Sequence, residues 1–179
     1  MSLRSVVAAV AFALCAAPAL GDDALSYNDP GMHFAPPAGW VRVDLSAAQG
    51  AENVPVAVFT YHQGQTDARS ITITIVNSTD SLDVFERSHE QSLRSGNDSV
   101  FITKRKPMQL ANGMPVYFLQ SSLTSQSGGF YSRFEYIVID GQRGITVSYT
   151  GNTSDTDEKT ALAAMSTLYV VAYPVHRSS

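Results

Sequence analysis

Residues Glu86, His89 and Glu90 form an E-x-x-H-E run, the pattern in this sequence best suited to hold a metal ion. On a helix Glu86 and His89 would share one face, as carboxylate-bridged metal sites require. Such sites need a second copy of the motif, and the sequence contains none. His89 also falls within an apolar helical stripe, so we interpret it as a partly buried, hydrogen-bonded histidine and expect no metal site.

Other familiar catalytic and cofactor motifs are missing from the sequence. Neither the G-x-S-x-G nucleophile elbow nor a G-x-x-x-x-G-K phosphate loop occurs. The acidic run from Asp155 to Glu158 lacks the glycine and the terminal glutamate of an EF-hand, so we interpret it as a helix start. We expect no catalytic residues and no cofactor. One alternative remains open, an enzyme whose site is assembled from distant residues around His62, His89 and nearby carboxylates.

Aromatic residues supply the remaining candidates. Phe134, Tyr136 and Tyr149 are predicted to share one face of a hairpin. Core packing is the default interpretation of such a face, and a ligand groove lined by these three residues is the alternative. A second alternative function is therefore a small apolar-ligand carrier.

The first 21 residues have the three parts of a secretory signal peptide. Arg4 precedes an apolar run from Val6 to Ala17, and small residues lead to a predicted cut after Gly21. The apolar run is too short to span a membrane as a helix. The single cysteine, Cys15, lies inside this run, so the mature chain has no thiol chemistry. The sequence predicts a bacterial protein that is periplasmic or secreted.

Charge argues against nucleic acid as a partner. The chain has 12 basic and 16 acidic side chains, whereas nucleic-acid binding normally needs a basic face. The one basic run, Lys104 to Lys106, alternates along a predicted strand, so Arg105 faces away from the two lysines. We read it as an edge strand protected by lysines. No segment of the mature chain is apolar enough to span a membrane, and the oligomeric state stays open.

Periodicity places strands and two helices along the chain. Ile71, Ile73 and Ile75 alternate with threonines, which is typical of a strand with one buried face. The first helix is predicted over 81–95, with Asp80 as its N-cap. Its apolar stripe consists of Leu82, Phe85, His89 and Leu93. A second helix is predicted over 156–170, with a stripe of Ala161, Leu162, Met165, Leu168 and Tyr169. The other predicted strands are 31–35, 40–44, 54–62 and the four arms of two hairpins.

The hairpin turns are predicted at Asn112-Gly113 and Asp140-Gly141, two-residue loops of a preferred type. In the first hairpin this pairs Met108 with Tyr117 and Ile102 with Leu123. In the second it pairs Tyr136 with Ile145, Phe134 with Val147 and Ser132 with Tyr149. The same register sets Arg133 opposite Ser148 and Glu135 opposite Thr146.

The element order is strands, helix, four antiparallel strands, helix. This order predicts an α+β fold, an antiparallel sheet of about six to seven strands with two helices packed against it. We expect a flexible lead over 22–30, one domain over 31–174 and a tail over 175–179.

The opening "GMHFAPPAGW", the helix at 81–95, the two hairpins and the helix after "GITVSYT" resemble the PsbP-like superfamily. That superfamily includes the photosystem II extrinsic protein PsbP, the Ran-binding Mog protein and bacterial exported DcrB-like proteins. The resemblance implies an α/β/α sandwich around an antiparallel sheet, and it carries over no catalytic residues. We interpret Trp40, which begins a strand after the Pro-Pro-Ala-Gly break, as a core anchor. Because the chain has an intact domain, a signal peptide and no assembled catalytic set, we expect an exported, non-enzymatic envelope protein that binds a protein partner or a small ligand.

Overall fold

The computed structural model describes residues 26–46, 54–63, 67–96, 99–124, 129–152 and 158–172. The predicted signal peptide, the serine- and glycine-rich stretch 125–128, most of the acidic run at 155–158 and the predicted tail lie outside these residues. The elements are β1 (Tyr27–Asp29), β2 (Met32–Phe34), β3 (Val41–Arg42), β4 (Ala57–Gln63), β5 (Asp67–Asn77), α1 (Leu82–Gly96), β6 (Val100–Gln109), β7 (Pro115–Thr124), β8 (Phe130–Ile139), β9 (Arg143–Asn152), α2 (Glu158–Ala164) and β10 (Tyr169–Val170).

The strands form two antiparallel sheets. The larger has seven strands in the order β3-β4-β5-β9-β8-β7-β6, and the smaller has the order β1-β2-β10. Helix α1 packs against β6, β7 and β8 on one face of the large sheet. Buried residues of α2 and of the small sheet join the core on the other face. The predicted α+β class is confirmed. Within the described ranges, no helix has the length and apolar character that crossing a bilayer requires.

The core lies between the large sheet and the layer formed by α2 and the small sheet. Ile71 and Ile73 are fully buried, as their alternation with threonines predicts. Phe34 of the small sheet packs on Phe59 of the large sheet, with ring centroids 5.5 Å apart. Trp40 is 6% exposed, which confirms its expected place in the core.

The first hairpin differs from its prediction by one residue. Its loop has three residues, and the Leu110 amide bonds the Met114 carbonyl across it. Gly113 has a φ of 84°, the left-handed conformation that three-residue hairpin loops place at this position. Met108 therefore pairs with Val116 instead of Tyr117, and a bulge near Lys104 moves the partner of Ile102 to Ser121, away from Leu123. The predicted partner of Met108 was wrong because the loop is one residue longer, and that of Ile102 was wrong because the bulge adds a second shift.

The second hairpin differs from its prediction by two residues. Its loop is Gly141-Gln142, since the Asp140 carboxylate accepts hydrogen bonds from the amides of Gln142 and Arg143. The observed partners are Phe134 with Tyr149, Tyr136 with Val147, Ser132 with Gly151, Arg133 with Thr150 and Glu135 with Ser148. A shift of two residues leaves every side chain on its predicted face because the strand period is two. The shared face of the three aromatic candidates is therefore confirmed, while their predicted partners were wrong.

The helices also differ from prediction at their ends. The N-cap of α1 is Ser81 and not the predicted Asp80. The Ser81 carbonyl accepts the first helical bonds, from Val84 and Phe85, and its hydroxyl also accepts from the Val84 amide. The second helix ends at Ala164, six residues before its predicted end. Because the Thr167 hydroxyl bonds the Ala35 carbonyl, the chain turns toward β2 there.

The residues after that turn form a strand. Tyr169 and Val170 make up β10 and pair with β2. Tyr169, which the helical stripe places inside, is 48% exposed. A further strand, β1, lies within the segment predicted as a flexible lead. The Arg143 guanidinium is 2.6 Å from Asp29 and ties β1 to the large sheet.

Candidate functional site

A polar cleft lies between α1 and the large sheet. Because α1 packs over β6, β7 and β8, it leaves the β5 and β9 part of that face less covered. The cleft has a volume of about 350 Å³. Its lining combines the apolar side chains Val76 and Phe85 with polar ones. The polar side chains are the hydroxyl-bearing Thr74, Ser88, Ser92, Thr146 and Ser148, together with His89 and Arg133.

A buried carboxylate, Glu135, organises the charged end of this cleft. Its side chain is fully buried, with Arg133 Nε at 3.1 Å and His89 Nε2 at 3.2 Å from Oε1. The Ser148 hydroxyl donates to the same oxygen at 2.7 Å. Burial acts to raise the pKa of Glu135, but Arg133, His89 and Ser148 stabilise the anion and lower that pKa to about 2. Glu135 is therefore ionised at neutral pH.

The order of these contacts limits what the cleft can do chemically. A catalytic serine is activated when its hydroxyl hydrogen-bonds one ring nitrogen of a histidine and a carboxylate hydrogen-bonds the other ring nitrogen. Here Ser148 donates directly to Glu135, and His89 contacts the same carboxylate. We therefore see no activated serine in this network. His89 nevertheless lies in a concave cleft beside Glu135 and Arg133, the geometry on which the enzyme alternative depends. The side chain of His62 lies outside the described residues.

The three residues of the E-x-x-H-E run have separate partners. Glu86 lies 2.6 Å from Arg105, and Glu90 lies 2.7 Å from Arg94. Within the part of the chain that the structure describes, no three histidine, cysteine or acidic residues come together to hold a metal ion.

Glu86 was considered in the sequence analysis only as a possible metal ligand, and its burial and its ion pair with Arg105 were missed. It is fully buried although its neighbours in the predicted apolar stripe are only half-buried. Burial raises its pKa, and the guanidinium of Arg105 opposes that rise. The available signal was the alternation of β6, which turns Arg105 toward the face that α1 covers.

Strand β6 is an edge strand, as predicted, and it contacts both helices. Arg105 reaches Glu86 of α1, while Lys104 and Lys106 on the other face reach Glu158 of α2 at 2.5 and 3.7 Å. These contacts lower the pKa of Glu158, chiefly through its hydrogen bond with Lys104. The basic run is therefore divided between two faces and is not a single patch.

An aromatic groove lies on the other side of the large sheet. The Trp40 ring is 5.7 Å from the Tyr61 ring and 5.8 Å from the Tyr149 ring, measured between centroids. The groove has a volume of about 630 Å³, and Arg69 and Lys159 also line it. The guanidinium carbon of Arg69 lies 5.7 Å from the Tyr61 ring centroid, a cation–π arrangement.

Of the three predicted aromatic candidates, Tyr149 borders this groove, but its side chain is fully buried. Phe134 and Tyr136 are 1% and 7% exposed and both pack against Phe118. Trp40 was assigned in the sequence analysis to the core and not to a groove. The preceding "PPAG" segment was the sequence signal for the groove, because Pro37 and Ala38 line it together with Trp40.

The fold of this chain is similar to that of two solved structures. A cyanobacterial PsbP from Synechocystis is 19% identical, with a TM-score of 0.57 over 81% of this chain and 91% of that one. The fold is PsbP-like. A protein of unknown function from Pseudomonas aeruginosa, described as a candidate regulator, has a PsbP-like fold at 15% identity. Its TM-score is 0.53, over 73% of this chain and 96% of that one.

At the sequence level, no protein-family model and no curated protein matches the chain. The expected PsbP-like fold is thus confirmed by structure, and these identities carry fold information alone.

Proposed function

We propose that this chain is an exported, non-enzymatic binding protein of the cell envelope, and that the aromatic groove is its ligand site. The observation that carries the proposal is one open groove in which the half-buried Tyr61 ring and the edge of the largely buried Trp40 ring meet two cationic side chains, with the fully buried Tyr149 beside them. Its volume of about 630 Å³ lies within the range of small-molecule sites, which is roughly 300–1,000 Å³.

The lining of the groove indicates the class of ligand. Aromatic rings favour a flat apolar body, because such a body buries area against them at low entropic cost. Lys159 forms no ion pair within the described ranges, so its ammonium is available to an acidic group. We therefore propose a small ligand with a flat apolar body and one carboxylate or similar acid.

Intrinsic fluorescence tests this proposal, because Trp40 is the only tryptophan of the chain. Titration with 2-naphthoate should change Trp40 emission saturably, and the neutral analogue 2-naphthalenemethanol should bind more weakly. Lys159→Ala should reduce naphthoate affinity at least threefold, whereas Arg87→Ala, an exposed cation on α1, should leave it unchanged. Absence of a saturable change for both compounds would remove the groove as a ligand site.

Export is tested separately. The full chain, expressed in a bacterium, should be recovered from the periplasm or the medium with Asp22 as its first residue. Intact mass identifies the cut, and a chain lacking residues 1–21 serves as the cytoplasmic control. Recovery of uncleaved protein with the cytoplasmic fraction would contradict export.

An enzyme is the second candidate, and one observation favours it. His89 lies in the polar cleft with its ring held by Glu135, which orients an imidazole for proton transfer. A screen of model esters, amides and glycosides compares the wild-type chain with His89→Gln. Turnover that disappears in His89→Gln would establish the enzyme in place of the non-enzymatic protein.

A further inference from the structure

The polar cleft between α1 and the large sheet is separate from the aromatic groove, and its chemistry is different. The sheet residues that line it are Thr74 of β5 and Thr146 and Ser148 of β9, beside the part of this face that α1 covers. The Ser148 hydroxyl is engaged by Glu135 and Arg133. The sheet hydroxyls that face the concave space are therefore those of Thr74 and Thr146.

The charged wall of the cleft presents the Arg133 guanidinium and the His89 ring and conceals the anion. The side chains of Arg133 and His89 are 28% and 20% exposed, whereas that of Glu135 is fully buried. Arg133 Nε lies 3.1 Å from Glu135 as an ion pair without a hydrogen bond, and its Nη2 donates to the Ser148 hydroxyl at 3.3 Å. A guanidinium has five N–H donors, so these contacts leave donors for a further acceptor.

We propose that this cleft is a second ligand site and that it binds a small hydroxylated oxyanion. The ligand's anionic group would contact Arg133, and its hydroxyl groups would contact Thr74, Ser88, Ser92 and Thr146. A guanidinium binds carboxylate and phosphate oxygens in the same fork geometry, so both acid groups fit the wall. The volume of about 350 Å³ accommodates a ligand of sugar-acid size.

Backbone amide NMR on the full mature domain tests the site, with D-gluconate and glycerol 3-phosphate as probes. Glucose and glycerol provide the neutral controls, and the two acids distinguish a carboxylate from a phosphate ligand. We expect saturable shift changes in the amides of Ser88, Ser92 and Thr146 for at least one acid, and none for the neutral compounds. Changes that do not saturate by 10 mM, or that concentrate around Trp40, would overturn the proposal.

Two variants separate binding from folding. Ser88→Trp should fill the mouth of the cleft and abolish the shifts, whereas Gln91→Trp, at an exposed position of the same helix that does not line the cleft, should retain them. Thr74→Val removes one hydroxyl at nearly constant volume and should weaken binding about threefold. Circular dichroism checks that each variant is folded. Binding that survives in folded Ser88→Trp would exclude the cleft, and the naphthoate titration reports on the aromatic groove independently.

Discussion

The ring of Phe85 packs directly on the backbone of Gly144. A Cβ atom placed on Gly144 would lie 2.2 Å from Phe85 Cζ, far closer than van der Waals contact allows. The absence of a side chain in β9 thus lets α1 approach the sheet closely at one end of the polar cleft, which both residues line. Glycine is required here for close approach and not for a special backbone angle.

Gly144→Ala should destabilise the fold by about 1–3 kcal/mol, because the added methyl group overpacks the contact with Phe85. Urea unfolding measures the loss. Phe85→Ala removes the obstructing ring, so the double variant should be more stable than the sum of the two single effects predicts. Strictly additive effects would mean that the two residues do not interact in this way.

Glu135→Gln should destabilise the protein by about 3 kcal/mol, since it leaves the partly buried Arg133 without its counter-charge. Glu90→Gln provides the matched control, because Glu90 pairs with Arg94 on the surface of α1 and such pairs contribute about 0.3–0.5 kcal/mol. Comparable losses of unfolding free energy in the two variants would show that the buried Glu135 network stabilises the fold no more than a surface ion pair does. Chemical denaturation in urea at neutral pH provides both values.

Acid should weaken the fold through the same carboxylate. The pKa of Glu135 is lowered from 4.5 to about 2 in the folded state, so its contribution is fully present above pH 4.5. That contribution declines as the pH falls from 4.5 toward 2, where folded Glu135 takes up its proton. The difference in unfolding free energy between the wild type and Glu135→Gln should therefore shrink between pH 5 and pH 2. A difference that stays constant over this range would contradict the assignment.

Asp140→Ala should destabilise the second hairpin by about 1–3 kcal/mol, because the turn amides of Gln142 and Arg143 lose their acceptor. Asp140→Asn retains an acceptor oxygen but loses the charge that faces the Arg143 guanidinium at 2.7 Å. It should therefore lose less stability than Asp140→Ala. Thermal unfolding followed by circular dichroism ranks the variants, and an equal loss in both would assign the effect to charge alone.

The sequence predicted which face of a strand each residue occupies, but it did not predict the register between neighbouring strands. Alternation in β8 and β9 was sufficient to place Phe134, Tyr136 and Tyr149 on one face, because face depends only on whether a position is odd or even. Register depends on the length and the position of the loop. The first loop is one residue longer than predicted, and the second begins one residue later because the Asp140 carboxylate accepts from the turn amides. The dipeptide patterns did not contain these hydrogen bonds.

The candidate sites were less predictable than the fold. Tyr149 was among the predicted groove residues, but Tyr61, which contacts the same Trp40 ring, comes from a strand 88 positions earlier in the chain. Glu86 was read as one part of a local helical motif, although its partner Arg105 lies on β6. Both associations depend on strand order, which local periodicity does not contain.

By itself the sequence determined the α+β class, the first helix, most of the strands and the buried faces of those strands, because these follow from local periodicity and from the chemistry of single residues. Only the tertiary structure decided that Tyr169 and Val170 leave the helical pattern to pair with β2. It also decided that Arg133, His89 and Ser148 converge on Glu135. The physical reason is that pairing partners and buried charges are selected by distant groups, whose proximity exists only after the sheet has formed.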